Sequence, residues 1–164
     1  MRYHIPVLLK ESVESLQIKL NGTYIDCTMG GGGHTREILK YLSSDGSIVA
    51  FDQDADAASN VPDDKRVIFV PHNFRHLSRF LKLHNIPQVD GVLADLGVSS
   101  HQFDKADRGF SFRFEALLDM RMDQRQSRTA ADIANSYTAD QLQEMLSLYG
   151  EVTNAKTLAL SIVE

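Results

Sequence analysis

The segment YIDCTMGGGGHT, residues 24–35, joins an apolar run to four consecutive glycines and then to a helical pattern that opens at Thr35. Glycine tolerates a positive φ and has no Cβ, so this backbone can turn sharply and let a ligand lie against it. The free N–H groups of the following helix suit a carboxylate or a phosphate. A second apolar run, SIVAFD, ends in Asp52 about 20 residues further on, where a ribose-binding acid belongs in a nucleotide-type βαβ unit. The spacing favours a nucleoside-containing cofactor over a purely structural strand–turn–helix junction.

Apolar runs and helical patterns alternate along the first hundred residues. The predicted strands are Thr23–Cys27, Ser47–Asp52, Val67–Val70 and Val89–Leu96, and the predicted helices are 7–16, Thr35–Leu42, Ala55–Val61 and Leu77–Leu83. This alternation predicts an α/β fold with a parallel, doubly wound sheet, which binds ligands at the carboxyl ends of its strands. Gly30–His34, Asp52 and Asp95 all fall at such ends. We therefore expect one site there.

Beyond Gly97 the pattern becomes polar and loop-like up to residue 128, and helices are then predicted at Ala130–Asn135, Leu142–Tyr149 and Ala155–Val163. Thr138 and Gln141 have the spacing of a capping box. We divide the chain into a cofactor-binding core, 1–104, and a lid loop with the beginning of a helical insertion, 105–164. Four strands are few for this architecture, so we expect a truncated chain. An incomplete sheet would expose apolar edges and favour aggregation or a homodimer.

Composition is that of an ordinary globular protein of 164 residues with a net charge of −5. The single cysteine, Cys27, excludes an internal disulfide framework, and no apolar run approaches the ~20 residues that span a bilayer. We expect a cytoplasmic protein with no membrane segment and no required metal. Five arginines lie among acids between residues 108 and 128, a pattern that fits a salt-bridged face at least as well as an RNA contact.

Two kinds of nucleoside cofactor fit a glycine loop of this type. A dinucleotide fingerprint has the form G-x-G-x-x-G, and here Gly30 and Gly32 occupy the first two glycine positions but Thr35 occupies the third. The spacing D-x-x-x-G-x-G, from Asp26 to Gly32, instead resembles the first motif of S-adenosylmethionine-dependent amino-methyltransferases. In those enzymes the acid after the second strand binds the ribose hydroxyls, a role that suits Asp52. Asp54 is better interpreted as a cap for the next helix.

Longer motifs narrow the resemblance. The strings VDGVLADLGVSSHQFD (89–104), RGFSFR (108–113) and LDMRMD (118–123) are similar to the ribosomal RNA small subunit methyltransferase H family, bacterial enzymes that make N4-methylcytidine in 16S rRNA. HIPVLLKE at the start, AADI and LYGE fit the same family. Gly31 and His101 depart from it, since many members have arginine and proline there.

This resemblance implies a Rossmann-like, S-adenosylmethionine-dependent methyltransferase core that acts on 16S rRNA within the small ribosomal subunit. The cofactor contacts it implies are Gly32, Gly33, His34, Asp52, Phe74, Asp95 and Gln102. At the end of the fourth strand, Asp95 is the candidate catalytic residue, which would orient the cytidine amine or serve the cofactor. The phenylalanines at 110, 112 and 114 would pack the lid or stack on a base. The rival readings are an NAD(P)-dependent oxidoreductase and a truncated, non-catalytic cofactor-binding fragment.

Overall fold

A parallel sheet of four strands organises the first hundred residues of the computed structural model, which describes residues 6–164. The strands are β1 (Thr23–Asp26), β2 (Ser47–Phe51), β3 (Val67–Val70) and β4 (Gly91–Leu93). Their order in the sheet is β3-β2-β1-β4, with Ile25 opposite Val49 on one side and Val92 on the other. The predicted α/β class and parallel sheet are confirmed. His4 and Ile5 of the opening HIPVLLKE motif lie outside the described residues.

Alternate residues of the central strands point to two separate apolar cores. Tyr24, Ile48 and Ala50 belong to a buried cluster with helical residues such as Ile38, on one face of the sheet. The residues that alternate with these along the strands, such as Val49 between Ile48 and Ala50, belong to a second buried cluster on the opposite face. Successive side chains of a strand point to opposite faces, so strands that are buried on both faces form near-continuous apolar runs. These clusters therefore explain why the strands were visible in the sequence.

Helices cover both faces of this sheet. They are α1 (Leu9–Ser15), α2 (Gly33–Leu39) and α3 (Leu77–Leu83), together with 3-10 segments at Ala55–Asn60 and Phe74–His76. Leu39 and Val13 join the first cluster, whereas Leu77 and Phe80 of α3 pack against the second. Several predicted boundaries were wrong. Helix α2 begins two residues before Thr35 and ends three residues before Leu42, and β4 covers only three of the eight residues predicted for it. The helix predicted from Leu142 begins three residues earlier, at Ala139.

The later part of the chain is helical. It contains α4 (Ser100–Asp104), a 3-10 segment (Ala106–Arg108), α5 (Ala130–Ser136), α6 (Ala139–Leu148) and α7 (Ala155–Val163). The loop expected from 97 to 128 is thus interrupted by two helical segments. Leu142 of α6 is buried, as are Ala155 and Ala159 of α7. The capping box of Thr138 with Gln141 is confirmed, and Thr129 forms a second one with Asp132 at α5.

Two compact units divide the described chain. One comprises the residues up to His101 together with Met122–Gln124, and the other comprises Gln102–Arg121 and Arg125–Glu164. The boundary expected after residue 104 stays a prediction. No helix within residues 6–164 is long and apolar enough to cross a membrane.

Candidate functional site

The site candidates lie where the order of the strands reverses. From β1 the chain proceeds to β2 and then to β3 on one side, and β4 is then added on the other side of β1. In an open parallel sheet, ligands usually bind in a crevice at such a reversal, so we expect the crevice between the loops that leave the carboxyl ends of β1 and β4. The glycine loop follows β1, and Asp95 follows β4.

Hydrogen bonds from three directions fix the glycine loop. The Gly30 N–H donates to Asp52 Oδ2 at 2.7 Å, and the Gly30 carbonyl accepts from Asn60 Nδ2 at 3.1 Å. Arg36 Nη1 donates to the Gly31 carbonyl at 2.6 Å, and Arg36 Nη2 donates to the Asn60 carbonyl at 2.7 Å. Sequence reasoning missed both residues: Arg36 belongs to no recognised motif, and Asn60 is 30 residues from the glycine that it contacts. The loop is thus held in shape by the protein itself.

Gly32 and Gly33 are required by the shape of the loop. Gly32 caps α2 with a φ of 74°, and a Cβ there would lie 3.0 Å from the Asn60 carbonyl oxygen and 2.8 Å from Arg36 Nη1. At Gly33 a Cβ would lie 2.5 Å from Pro6 Cγ. Neither position accepts a side chain without movement of its neighbours. The close approach at Gly33 is to the amino-terminal segment of this chain, a constraint that the motif alone did not reveal.

Asp52 is half-buried at the end of β2, with both carboxylate oxygens in use. Oδ2 accepts from Gly30 N–H, and Oδ1 accepts from Asp54 N–H at 2.8 Å. Burial raises the pKa of Asp52, and these hydrogen bonds only partly offset that effect. A carboxylate offers about four lone-pair directions, so acceptor capacity remains for further donors. The predicted capping role of Asp54 is confirmed, since its Oδ1 accepts from Asp56 N–H at 3.1 Å.

A chain of hydrogen bonds starting from buried Asp26 connects the two loops of the crevice. Asp26 Oδ2 accepts from the Thr35 hydroxyl at 2.7 Å, and its Oδ1 accepts from Thr28 N–H at 3.0 Å. Thr28 Oγ1 in turn accepts from the backbone N–H of Asp95 at 2.8 Å. Burial raises the pKa of Asp26, against the lowering effect of both hydrogen bonds. The chain ties the start of α2 to the end of β4, and sequence reasoning assigned none of these roles.

His34 lies in the first turn of α2 with only 5% of its surface exposed. Within residues 6–164 its Nε2 has no hydrogen-bond partner. A buried polar atom without a partner costs free energy, so such an atom in a native fold calls for an explanation. A ligand beside the glycine loop is one such explanation.

Phe74 opens the 3-10 segment that follows β3. The residue is 37% exposed, unlike a core phenylalanine. Asn73 caps this segment and also donates through Nδ2 to Gln53 Oε1 at 2.8 Å, which links it to the residue after Asp52. Phe74 is thereby attached to the same edge of the sheet as Asp52.

Asp95 and Gln102 differ in their surroundings. Asp95 is exposed, and its backbone N–H donates to Thr28 Oγ1, which holds it next to the end of β4. Gln102 is buried on α4 in the second compact unit, and its assignment to the cofactor stays a prediction. The glycine loop and Asp52 are therefore in direct contact, and His34, Phe74 and Asp95 follow the carboxyl ends of β1, β3 and β4.

Arginines of the second unit mostly form internal contacts. Arg108 is buried and donates through Nη2 to the Arg121 carbonyl at 2.9 Å. Arg121 is paired with Asp119 at 2.6 Å, and Arg113 with Asp104 at 2.8 Å. The salt-bridged interpretation is confirmed for Arg113 and Arg121. Of the three alternating phenylalanines nearby, those at 110 and 114 each lie beneath an arginine guanidinium and the one at 112 is fully exposed.

Two further features bear on the chemistry of the edge. In the part of the chain that the structure describes, no three histidine, cysteine or acidic side chains are grouped so as to hold a metal ion. Cys27 is buried beside Asp26, and burial raises the pKa of its thiol to about 11. The thiol is therefore protonated at neutral pH and is not a nucleophile.

Comparison with known proteins gives a consistent result. The chain is 54% identical over its whole length to a protein of Bacteroides thetaiotaomicron named ribosomal RNA small subunit methyltransferase H. Proteins of the same name from Parabacteroides distasonis and Cytophaga hutchinsonii are 56% and 54% identical over 99% of the chain. The chain covers 53–55% of the length of these relatives, so it spans about half of the proteins it matches.

A family profile described as the MraW methylase family matches residues 1–164, which is the whole chain. The glycine loop, Asp52 and Asp95 lie within this match, at the edge of the sheet where the fold leads us to expect a ligand. The chain belongs to the MraW methylase family.

Proposed function

We propose that the crevice between the β1 and β4 loops binds S-adenosylmethionine, with the ribose on Asp52. The observation that carries this proposal is the position of Asp52. Its carboxylate is anchored by Gly30 N–H and Asp54 N–H, which leaves lone pairs for two vicinal hydroxyls. A carboxylate that is already oriented needs no further ordering when the ligand binds.

Other groups at the edge fit the remaining parts of this cofactor. Gly32 gives the loop the left-handed turn with which α2 begins, and the buried Nε2 of His34 suits a carboxylate such as that of the methionine moiety. Phe74, on the segment attached to Gln53, offers a partly exposed ring for the adenine. Methyl-donor chemistry is also what membership of a methylase family leads us to expect.

The intact protein containing this chain is proposed to methylate the exocyclic N4 of a cytidine in the decoding centre of 16S rRNA. When bound, S-adenosylmethionine supplies a methyl group on a positively charged sulfur. The cytidine amine is a weak nucleophile, so the protein must hold it in line and accept its N–H bonds. Asp95, whose backbone is fixed by Thr28, is the residue proposed to orient the amine.

The names of the relatives support rRNA as the substrate. A base within a duplex cannot reach an edge of this kind, so the cytidine must be splayed out of its stack. Recognition of folded RNA through its shape is compatible with a protein of net charge −5. We propose the assembled small subunit as the form that presents this cytidine.

Calorimetric titration of the purified chain with S-adenosylmethionine, and separately with NADH, tests the cofactor. Asp52→Asn keeps the size of the side chain but loses its charge, and we expect affinity for S-adenosylmethionine to fall about 10- to 100-fold, since a hydrogen bond to a charged group is worth about 1.5–3 kcal/mol. Asp63→Asn, at an exposed carboxylate outside the site, is the matched control. Binding of NADH alone, or equal affinities in both variants, would contradict the proposal.

Transfer of labelled methyl groups from S-adenosylmethionine to unmethylated small ribosomal subunits tests the reaction. Mass spectrometry of the digested RNA distinguishes N4-methylcytidine from other methylated nucleosides. Residues 1–164 assayed beside the intact protein test the non-catalytic reading. Activity of the intact protein alone would support that reading, and equal activity of both would eliminate it.

A further inference from the structure

Three cations in the segment that contains Phe74–His76 and α3 form no ion pair within residues 6–164. We call Arg75, Arg79 and Lys82 the α3 stripe. All three side chains are exposed, and none forms a salt bridge with any residue in 6–164. Arg75 donates through Nε to His76 Nε2 at 3.0 Å, a contact that brings no negative charge.

Helical geometry places the α3 stripe on one face. Leu77, Phe80 and Leu81 pack against the buried cluster beneath the sheet. Residues three or four apart share a helix face, so Arg79 and Lys82 lie together and Arg75 precedes them by one turn, on the side away from the core. The stripe extends over about 10 Å at 1.5 Å per residue.

The charge around the stripe contrasts with the rest of the chain. Residues 65–89 contain no aspartate or glutamate, although the chain holds 22 acids and has a net charge of −5. Several cations elsewhere in the same unit are paired with an acid, such as Arg66 with Asp64 and Lys19 with Asp90. Like charges at helical spacing repel each other by a few tenths of a kcal/mol. An anionic partner would remove this repulsion.

We propose that the α3 stripe binds the phosphate backbone of the RNA substrate. This inference rests on the proposed function, because it assigns the same substrate to a second surface. The 3-10 segment that begins at Phe74 runs directly into α3, so the stripe starts one residue after the proposed adenine contact. The end of β3 lies three strand positions from the end of β4, about 14 Å at roughly 4.8 Å per strand, a distance that nucleotides flanking a base at Asp95 can span. Their phosphates would then meet the stripe.

The test replaces all three cations in the intact protein, as Arg75→Gln, Arg79→Gln and Lys82→Gln. A matched control removes three exposed lysines on other elements, as Lys10→Gln, Lys40→Gln and Lys65→Gln, and so changes the net charge equally. The control breaks two surface ion pairs, Lys10 with Glu14 and Lys40 with Glu37. Surface ion pairs contribute little to the free energy of unfolding. Binding of each fluorescently labelled protein to purified small ribosomal subunits is followed by anisotropy between 50 and 200 mM KCl, roughly the range over which phosphate contacts are lost.

Each phosphate contact contributes roughly 0.7 to the slope of log affinity against log salt for a single strand. The stripe variant should therefore have a slope smaller by about 2, and wild type should lose about 16-fold more affinity than this variant over a fourfold rise in salt. Affinity for S-adenosylmethionine should change by less than about twofold, since no stripe side chain is proposed to contact it.

Equal slopes for the stripe variant and the lysine control would overturn the inference while leaving the proposed function intact. A wild-type protein that binds S-adenosylmethionine but does not bind small subunits would overturn both the inference and the proposed RNA substrate. A stripe variant that loses cofactor binding as well would mean that these residues support the fold or the crevice, and would also refute the proposal.

Discussion

Replacing Thr35 with valine would remove one hydroxyl group from a fully buried contact. The Thr35 hydroxyl donates to Asp26 Oδ2 at 2.7 Å, and neither residue has any exposed surface. Valine has nearly the same shape, so packing is retained while the carboxylate loses a donor. Because water cannot reach Asp26, no solvent molecule replaces the lost hydrogen bond.

A hydrogen bond to a charged group contributes about 1.5–3 kcal/mol to stability. A change of 1 kcal/mol shifts the melting temperature of a chain of this size by roughly 2–4 °C. We therefore expect Thr35→Val to lower the Tm by about 3–12 °C. Thr35→Ser keeps the hydroxyl and removes only a methyl group, so it should cost about 1 kcal/mol.

The pH dependence distinguishes a lost hydrogen bond from a packing defect. Burial already raises the pKa of Asp26 above its ordinary value of 3.8, so stability falls as the pH rises from there through the pKa of the folded state. Without the Thr35 hydroxyl this pKa rises further, so the loss of stability continues to higher pH. The difference in free energy of unfolding between wild type and Thr35→Val should be smallest in acid. It should be largest once Asp26 is ionised in both proteins.

Thermal and urea unfolding, followed by circular dichroism from mildly acidic to neutral pH, measures this gap. The free energy of unfolding of Thr35→Ser should differ from that of wild type by the same amount at every pH. The reasoning would be refuted if valine cost no more than serine, or if the gap for valine did not widen as the pH rose.

Three further changes test other contacts. Because burial raises the pKa of Asp52, its carboxylate is protonated at a higher pH than that of an ordinary aspartate. Titrations at decreasing pH should therefore find that affinity for S-adenosylmethionine declines at a pH above 3.8. The Asp52→Asn variant should not show this decline. Thr28→Val removes the acceptor for the Asp95 N–H, and steady-state assays should find kcat reduced about five- to tenfold, a larger change than that in cofactor affinity. Thr129→Ala breaks the capping box with Asp132 and should lower the free energy of unfolding by about 1 kcal/mol, whereas an unchanged value would mean that α5 does not depend on its cap.

Much of the sheet was predictable because its strands are buried on both faces. β3 and α3 have the bounds that their apolar patterns predicted, and Thr138 capped α6 as its spacing indicated. Two of the elements whose boundaries were predicted wrongly, α2 and β4, lie at the site itself. Glycine is a poor helix former, so Thr35 marked the predicted start of α2, whereas the helix begins at Gly33 after a left-handed Gly32. β4 ends early because the backbone of Asp95 turns to donate to a threonine side chain.

The candidate site was predictable only in part, for a related reason. Parallel topology alone places Asp52 and Asp95 at one edge, so their spacing along the chain was sufficient evidence. The supporting contacts depend on pairings between distant residues, such as Asn60 with Gly30, and such pairings leave no periodic signal in a single sequence. An acid at Asp26, inside an otherwise apolar run, was the one available sign of the buried network.

The inert thiol of Cys27 makes this protein convenient for spectroscopy. The pKa of its thiol is raised to about 11 and its side chain is buried, so maleimide reagents at neutral pH should leave it unmodified. It is also the only cysteine in the 164 residues. A cysteine introduced at an exposed position, for example Ser78 on α3, would then carry a probe at a single known place without removal of the native residue. With the 164-residue chain, this probe would test whether the surroundings of α3 change when RNA is added.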